Sequence, residues 1–233
     1  MALLNNIING KEKSPQQRGK LIVIDGSDGS GKSAQVDLLV ETLQLNNYPL
    51  EILSFPREGD TSSAPLEEYL DGGYGKLSPQ GQAVFYALDH LGAKNQINQW
   101  LSEGKIVIAN RYVTASAGNL GGQIENDAER IRFFKWLDNL EYMALGVPKP
   151  DLTLILHTPA KFAHLSDKHE LYDGDFDYVA QVEQAFLHAA QLFPNTKLVE
   201  CVEQGQLLTA GQIHGKVWDL TRRIALKNYS HAQ

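Results

Sequence analysis

Apolar residues gather into short, nearly uninterrupted runs separated by longer stretches in which they recur every three or four positions. Residues 20–25, 49–55, 106–109, 152–156 and 197–201 are the short runs, rich in Ile, Val and Leu, and they predict five strands. Runs that are apolar on consecutive positions suit strands buried on both faces, as in a parallel sheet. Between them, residues 36–45, 61–70, 79–101, 127–145, 175–193 and 209–226 carry helical periodicity. Ser78-Pro79 is a start signal for the third of these, a cap followed by proline. The fourth has an apolar stripe at Ile131, Phe134, Leu137, Leu140 and Leu145. Residues 114–123 are rich in glycine and are left unassigned. Residues 1–19 read as a flexible tail, and 20–233 as one domain without repeats or linker. Alternating strands and helices predict an α/β fold: a parallel five-stranded sheet with helices on both faces. Right-handed crossovers would bring the ends of the first and third strands together.

The first strand leads into Gly26-Ser27-Asp28-Gly29-Ser30-Gly31-Lys32-Ser33-Ala34, which satisfies the phosphate-loop pattern G-x-x-x-x-G-K-[ST] in the required strand–loop–helix context. The glycines let the backbone curl so that its N–H groups, with the helix N-terminus, surround an anion. Lys32 supplies a point charge for the β- and γ-phosphates, and the Ser33 hydroxyl suits Mg²⁺. The third strand ends at Asn110-Arg111-Tyr112, where open α/β sheets bind ligands, so Arg111 should face the same cleft.

Composition narrows the class. The chain has 233 residues, 42% of them hydrophobic, and a net charge of −7, which argues against general nucleic-acid binding. Its single cysteine, Cys201, rules out an intrachain disulfide framework and fits a reducing compartment. No stretch is long and apolar enough for a membrane span, and no secretory signal is evident, so the expected location is the cytoplasm.

Five segments together resemble the thymidylate kinases, which pass the γ-phosphate of ATP to dTMP. They are the loop start Asp25-Gly26-Ser27-Asp28-Gly29, Phe55-Pro56-Arg57, Tyr86-Ala87-Leu88-Asp89-His90, Asn110-Arg111-Tyr112-Val113 and Pro148-Lys149-Pro150-Asp151-Leu152. The resemblance covers nearly the whole chain from Lys20 and implies that the five-stranded parallel α/β sheet is of P-loop NTPase type. It implies ATP and Mg²⁺ as cofactors and small-molecule nucleotides as ligands. Asp28 would hold the acceptor's sugar and help position the reacting groups, Arg57 and Arg111 would bind the acceptor phosphate, and Tyr86 would stack on the base. A homodimer is expected, with Phe133 and Trp136 in the core or at a subunit contact.

Departures cluster at the acceptor site. His90 replaces an arginine, and Ser116, Asn119 and Leu120 replace asparagine, an aromatic residue or histidine, and glutamine. Asn110 replaces the aspartate that helps organise Mg²⁺, although Asp25 offers a carboxylate, and His157 ends the fourth strand in place of an aspartate. The family also places a catalytic arginine in the phosphate loop or the lid. Here Ser27 and Ser30 fill the loop positions, the lid at about 158–175 is short, and no arginine occurs between Arg132 and Arg222. Lys161 and Lys168 are the lid-region lysines. Three readings stay open: a dTMP kinase, a kinase of another nucleoside monophosphate, and a nucleotide-binding paralogue with little activity.

Overall fold

The computed structural model describes residues 17–165 and 176–229. Five strands form the main sheet: β1 (Lys20–Gly26), β2 (Leu50–Ser54), β3 (Ile106–Asn110), β4 (Leu152–His157) and β5 (Thr196–Glu200). They pair in parallel in the order β2-β3-β1-β4-β5. The expected neighbours β1 and β3 are adjacent, with Ile24 opposite Asn110.

Side-chain alternation divides the core. Leu21, Val23, Val107 and Ala109 pack on one face against α3 (Pro79–Ser102), α4 (Val113–Gly121), α5 (Asp127–Asp138) and α6 (Phe176–Leu192). Ile22, Ile24, Ile106 and Ile108 pack on the other against α1 (Lys32–Leu45) and α7 (Ala210–Leu220). Both faces are therefore dry, which is why these strands carry no polar alternation. A short α2 (Ala64–Leu70) lies between β2 and α3 and starts later than its apolar pattern suggests.

The unassigned glycine-rich stretch is the helix α4. Its glycines serve close packing: a Cβ on Gly118 would stand 2.4 Å from the Phe186 ring of α6. The helix expected over 127–145 is α-helical to Asp138 and continues as a π-helix over Asn139–Ala144. Likewise α7 gives way to a π-turn at Thr221–Ala225. A small antiparallel hairpin, β6 (Val202–Glu203) with β7 (Gln206–Leu207), went unpredicted because its strands are only two residues long.

The last residues of the expected tail are tied down. The Gly19 N–H donates to the Leu101 carbonyl at 2.7 Å, and Arg18 pairs with Asp151 at 3.3 Å. Cys201 is 1% exposed, more deeply buried than a strand-end thiol need be.

Candidate active site

The turn from β1 into α1 is made possible by left-handed glycines. Gly26 adopts φ +141°, and a Cβ there would stand 2.5 Å from the Leu156 carbonyl oxygen and 2.8 Å from Ser30 Oγ. Gly31, at φ +84°, precedes α1 and leaves its N-terminus without a side-chain cap. By contrast α3, α5 and α7 are capped by Ser78, Asn126 and Thr209. The unclaimed N–H groups of α1 face the place a polyphosphate would take.

Lys32 folds back over this loop. Its Nζ donates to the Ser27 carbonyl at 2.7 Å and lies 3.4 Å from Asp28 Oδ1. Burial pushes the ammonium down to about 8, helped by the Arg111 charge and opposed by Asp28 and Asp25. Just past the end of β3, Arg111 Nη2 lies 2.5 Å from the same Asp28 oxygen. Asp28 thus joins the two cations. Burial would raise its carboxyl pKa, but Arg111 and Lys32 together hold it below the usual range. Arg111 itself sits at φ +67°, an uncommon backbone for a residue with a Cβ. Such strain is often retained where a side chain must be aimed.

The other candidate residues divide. Tyr86 is half-buried on α3; burial pushes its hydroxyl pKa up, Arg111 opposes this, and Tyr69, Tyr178 and Asp28 add to it. Asn119 is half-buried on α4, its carbonyl accepting from Tyr178 at 3.1 Å. Ser116 is buried beside it on α4, with an unpartnered hydroxyl. Arg57 leaves β2 through a cis Phe55–Pro56 peptide and is largely engaged with its own chain. Its Nε donates to Asp89 at 2.9 Å and its Nη1 to Asp60 at 3.1 Å. Gly92 makes room for this: a Cβ there would lie 2.6 Å from Arg57 Nη2.

His90 is engaged by its own chain. It is 2% exposed, wedged between the Phe55 and Tyr112 rings, each 4.8 Å away centroid to centroid. Its Nδ1 lies 2.8 Å from Glu141, itself 0% exposed on the π-helix after α5. A histidine is shorter than the arginine it replaces, and a buried carboxylate claims it. Glu141, Asp89 and Thr114 were missed as partners because each acts across a large sequence separation. Asp89 lay inside a quoted motif without a role; nothing in the sequence marked the other two.

The residues expected to hold Mg²⁺ pass a test of fit. Asp25 is 0% exposed; its Oδ2 accepts from the Thr114 hydroxyl while its Oδ1 has no protein partner. Asn110 Oδ1, on the adjacent strand end, also lacks one. Buried oxygens are seldom left so, and carboxylate and amide oxygens at the ends of β1 and β3, with the Ser33 hydroxyl at the start of α1, are donors that suit a hard cation. Burial pushes the Asp25 carboxyl up to about 6, against the Thr114 hydrogen bond and the charges of Arg111 and Lys32.

At the root of the lid region, His157 bridges two elements. Its Nδ1 lies 2.7 Å from Glu200 and its Nε2 2.9 Å from Glu183 on α6. Desolvation lowers the imidazole pKa, but the two carboxylates outweigh it and the net shift is upward. A folded pKa above the unfolded value stabilises most below about 6.5, and the gain is lost as pH rises through the folded value. His157→Gln should therefore lower Tm more at pH 6 than at pH 9. Solvent screening limits the difference to about 1 kcal/mol or less, roughly 2–4 °C in a chain this size. Thermal melts across pH check this; parallel curves would contradict it. Beyond His157, Lys161 stands on a 3₁₀ turn (Ala160–Leu165) with its Nζ over the Phe162 ring at 5.2 Å. Lys168 lies outside the described residues.

A family model described as thymidylate kinase matches residues 24–207. A thymidylate kinase of Mycobacterium tuberculosis (strain CDC 1551 / Oshkosh) is 32% identical over 146 residues, covering 61% of this chain and 68% of that one. A probable thymidylate kinase of Pyrococcus horikoshii is 30% identical over 195 residues, covering 79% and 89%. The solved thymidylate kinase of Candida albicans shares the fold, with a TM-score of 0.70 at 24% identity, over 91% of this chain and 94% of that one. With the family model spanning most of the chain and the loop lysine joined through Asp28 to Arg111 at the end of β3, the chain belongs to the thymidylate kinase family.

Proposed function

We propose that this protein transfers the γ-phosphate of ATP to dTMP, giving dTDP and ADP. The observation that carries the reading is Asp28, which contacts the loop cation Lys32 and the acceptor-side cation Arg111 through one oxygen. ATP would lie on Gly26, Ser27, Asp28, Gly29, Ser30, Gly31, Lys32, Ser33 and Ala34, its phosphates against the backbone N–H groups and Lys32. The acceptor phosphate would displace Arg111 from Asp28, and the base would pack on Tyr86, with Ser116 and Asn119 beside it. Arg57, fixed by Asp89, would hold its remaining donor toward the acceptor. Ser33, Asp25 and Asn110 would hold Mg²⁺, which supplies charge neutralisation on the transferring phosphate when bound.

In this arrangement the protein does little covalent chemistry: it aligns two polyanions and cancels their charge. Arg111 offers a planar fork to the acceptor and is bonded to Asp28 alone among the ion pairs of the described residues. Arg111→Ala should weaken dTMP binding by roughly ten- to a hundredfold, the scale of one lost charged hydrogen-bond pair, with ATP-analogue affinity changed far less. Isothermal titration with each ligand measures the contrast; equal losses for both would remove Arg111 from the acceptor role.

An ADP-release assay across the nucleoside monophosphates tests the whole reading. Preference for dTMP supports it, whereas another preferred acceptor or no turnover replaces it with one of the two alternatives. A homodimer is part of the same proposal, supported by Val84 and Leu88, exposed one turn apart on α3. A cytoplasmic location is part of the same proposal, supported by the single cysteine, which fits a reducing compartment; separately, no described helix is long and apolar enough to cross a membrane. Neither a nucleic-acid nor a membrane partner is part of the proposal.

A further inference from the structure

Thr114 belongs to no motif that supports the kinase reading, yet it makes the only hydrogen bond to the Asp25 side chain among the described residues. It stands in the first turn of α4, 3% exposed, and its hydroxyl donates to Asp25 Oδ2 from a position 89 residues away. A buried carboxylate oxygen left without a partner is costly. Asp25 is 0% exposed and has only one oxygen satisfied. The unsatisfied Oδ1 has a counterpart in Asn110 Oδ1, one register position away on the neighbouring strand end.

The replacement at Asn110 makes this bond matter. An amide oxygen brings no charge, so the strand ends offer a cation one carboxylate, not two. With one charged oxygen available, its direction determines how well the cation is held. A carboxylate on a short stem is otherwise free to rotate about χ2, which is broad for aspartate. Thr114 removes that freedom: its own χ1 is stiff because threonine is β-branched, and α4 fixes its backbone.

We propose that Thr114 is a positioning residue that orients Asp25 so that its free oxygen is held ready for the divalent cation accompanying ATP. The inference rests on the kinase reading above. It acts through Asp25, as outer partners of metal ligands commonly do, and losing such a partner typically costs about 10–100-fold in metal affinity.

The probe is Mn²⁺, titrated against the full chain with a non-hydrolysable ATP analogue and followed by the electron paramagnetic resonance of free Mn²⁺. Thr114→Val removes the donor at nearly constant shape, Thr114→Ala removes it with less bulk against Asp25, and Thr114→Ser restores a hydroxyl. The expected result is Mn²⁺ affinity reduced about 10–100-fold in the Val and Ala variants, retained within about threefold in Thr114→Ser, with dTMP affinity unchanged in all. Wild-type affinity in Thr114→Val or Thr114→Ala would overturn the inference, as would a serine variant as weak as the valine one. If wild type takes no ATP analogue at all, the kinase reading itself fails and this inference falls with it. Wild-type binding with insensitive variants defeats the positioning role alone.

Discussion

Lys32→Ala should abolish phosphoryl transfer while the protein stays folded. Lys32 is the loop's only cation, 7% exposed, and it is held at Ser27 O and Asp28, from where it can swing to the phosphates. Burial has already lowered its pKa to about 8, so the free protein gains little from this charge. An incoming polyphosphate changes that, because negative oxygens favour the ammonium. The lysine therefore stabilises the bound state far more than the fold. Losing one preorganised contact to a developing charge costs about 10²–10³ in kcat. A phosphate-loop lysine meets fully charged oxygens, so a loss at or beyond the upper end is expected. The ADP-release assay reads the rate and a thermal melt reads the fold. A variant that melts like wild type and turns over within tenfold of it would remove the phosphate loop from catalysis.

Wild-type turnover should be slow, and an arginine placed at Ser27 should raise it. Charge on the transferring oxygens must be met by cations, and an arginine finger contributes on the order of 10³–10⁵ in rate. The sequence has no arginine in the loop or between Arg132 and Arg222. Lys161 lies over the Phe162 ring, and a lysine lacks the forked geometry in any case. The two loop positions that could carry an arginine are not equivalent. Ser30 is 4% exposed and packs so closely on Gly26 that a longer side chain has no room. Ser27 is half-exposed and uses only its carbonyl to hold Lys32. Ser27→Arg should therefore increase kcat by about tenfold or more, while Ser30→Arg disrupts the loop. The expected wild-type kcat lies below the usual kinase range of about 1–100 s⁻¹. A wild-type rate inside that range, unaffected by Ser27→Arg, would show that the charge is supplied from elsewhere in the chain.

What the sequence by itself determined is whatever depends on local pattern. The central strands β1, β3 and β4 follow from consecutive apolar residues, since a strand covered on both faces has no polar side to alternate, whereas the edge strands β2 and β5 are partly exposed and carry polar residues. The phosphate loop follows because its chemistry needs glycines, a lysine and a serine at fixed short spacing, all within residues 26–33. Arg111 was legible from its place at a strand end, and the β1–β3 adjacency from crossover handedness.

The tertiary structure alone decided partnerships across long separations. Thr114 meets Asp25, His90 meets Glu141, and Arg57 meets Asp89, pairs lying 89, 51 and 32 positions apart. Glycines left the α4 stretch unassigned because helix propensity is local, whereas their purpose, admitting Phe186, is set by another helix. His90 shows the difference most clearly. Its position in a motif predicts a ligand contact; that it also pairs with a buried carboxylate on a π-helix, 51 residues later, is legible only in the packed chain. Periodicity fixes which face of an element is buried; which polar group waits on the other side of that face depends on how the whole chain packs.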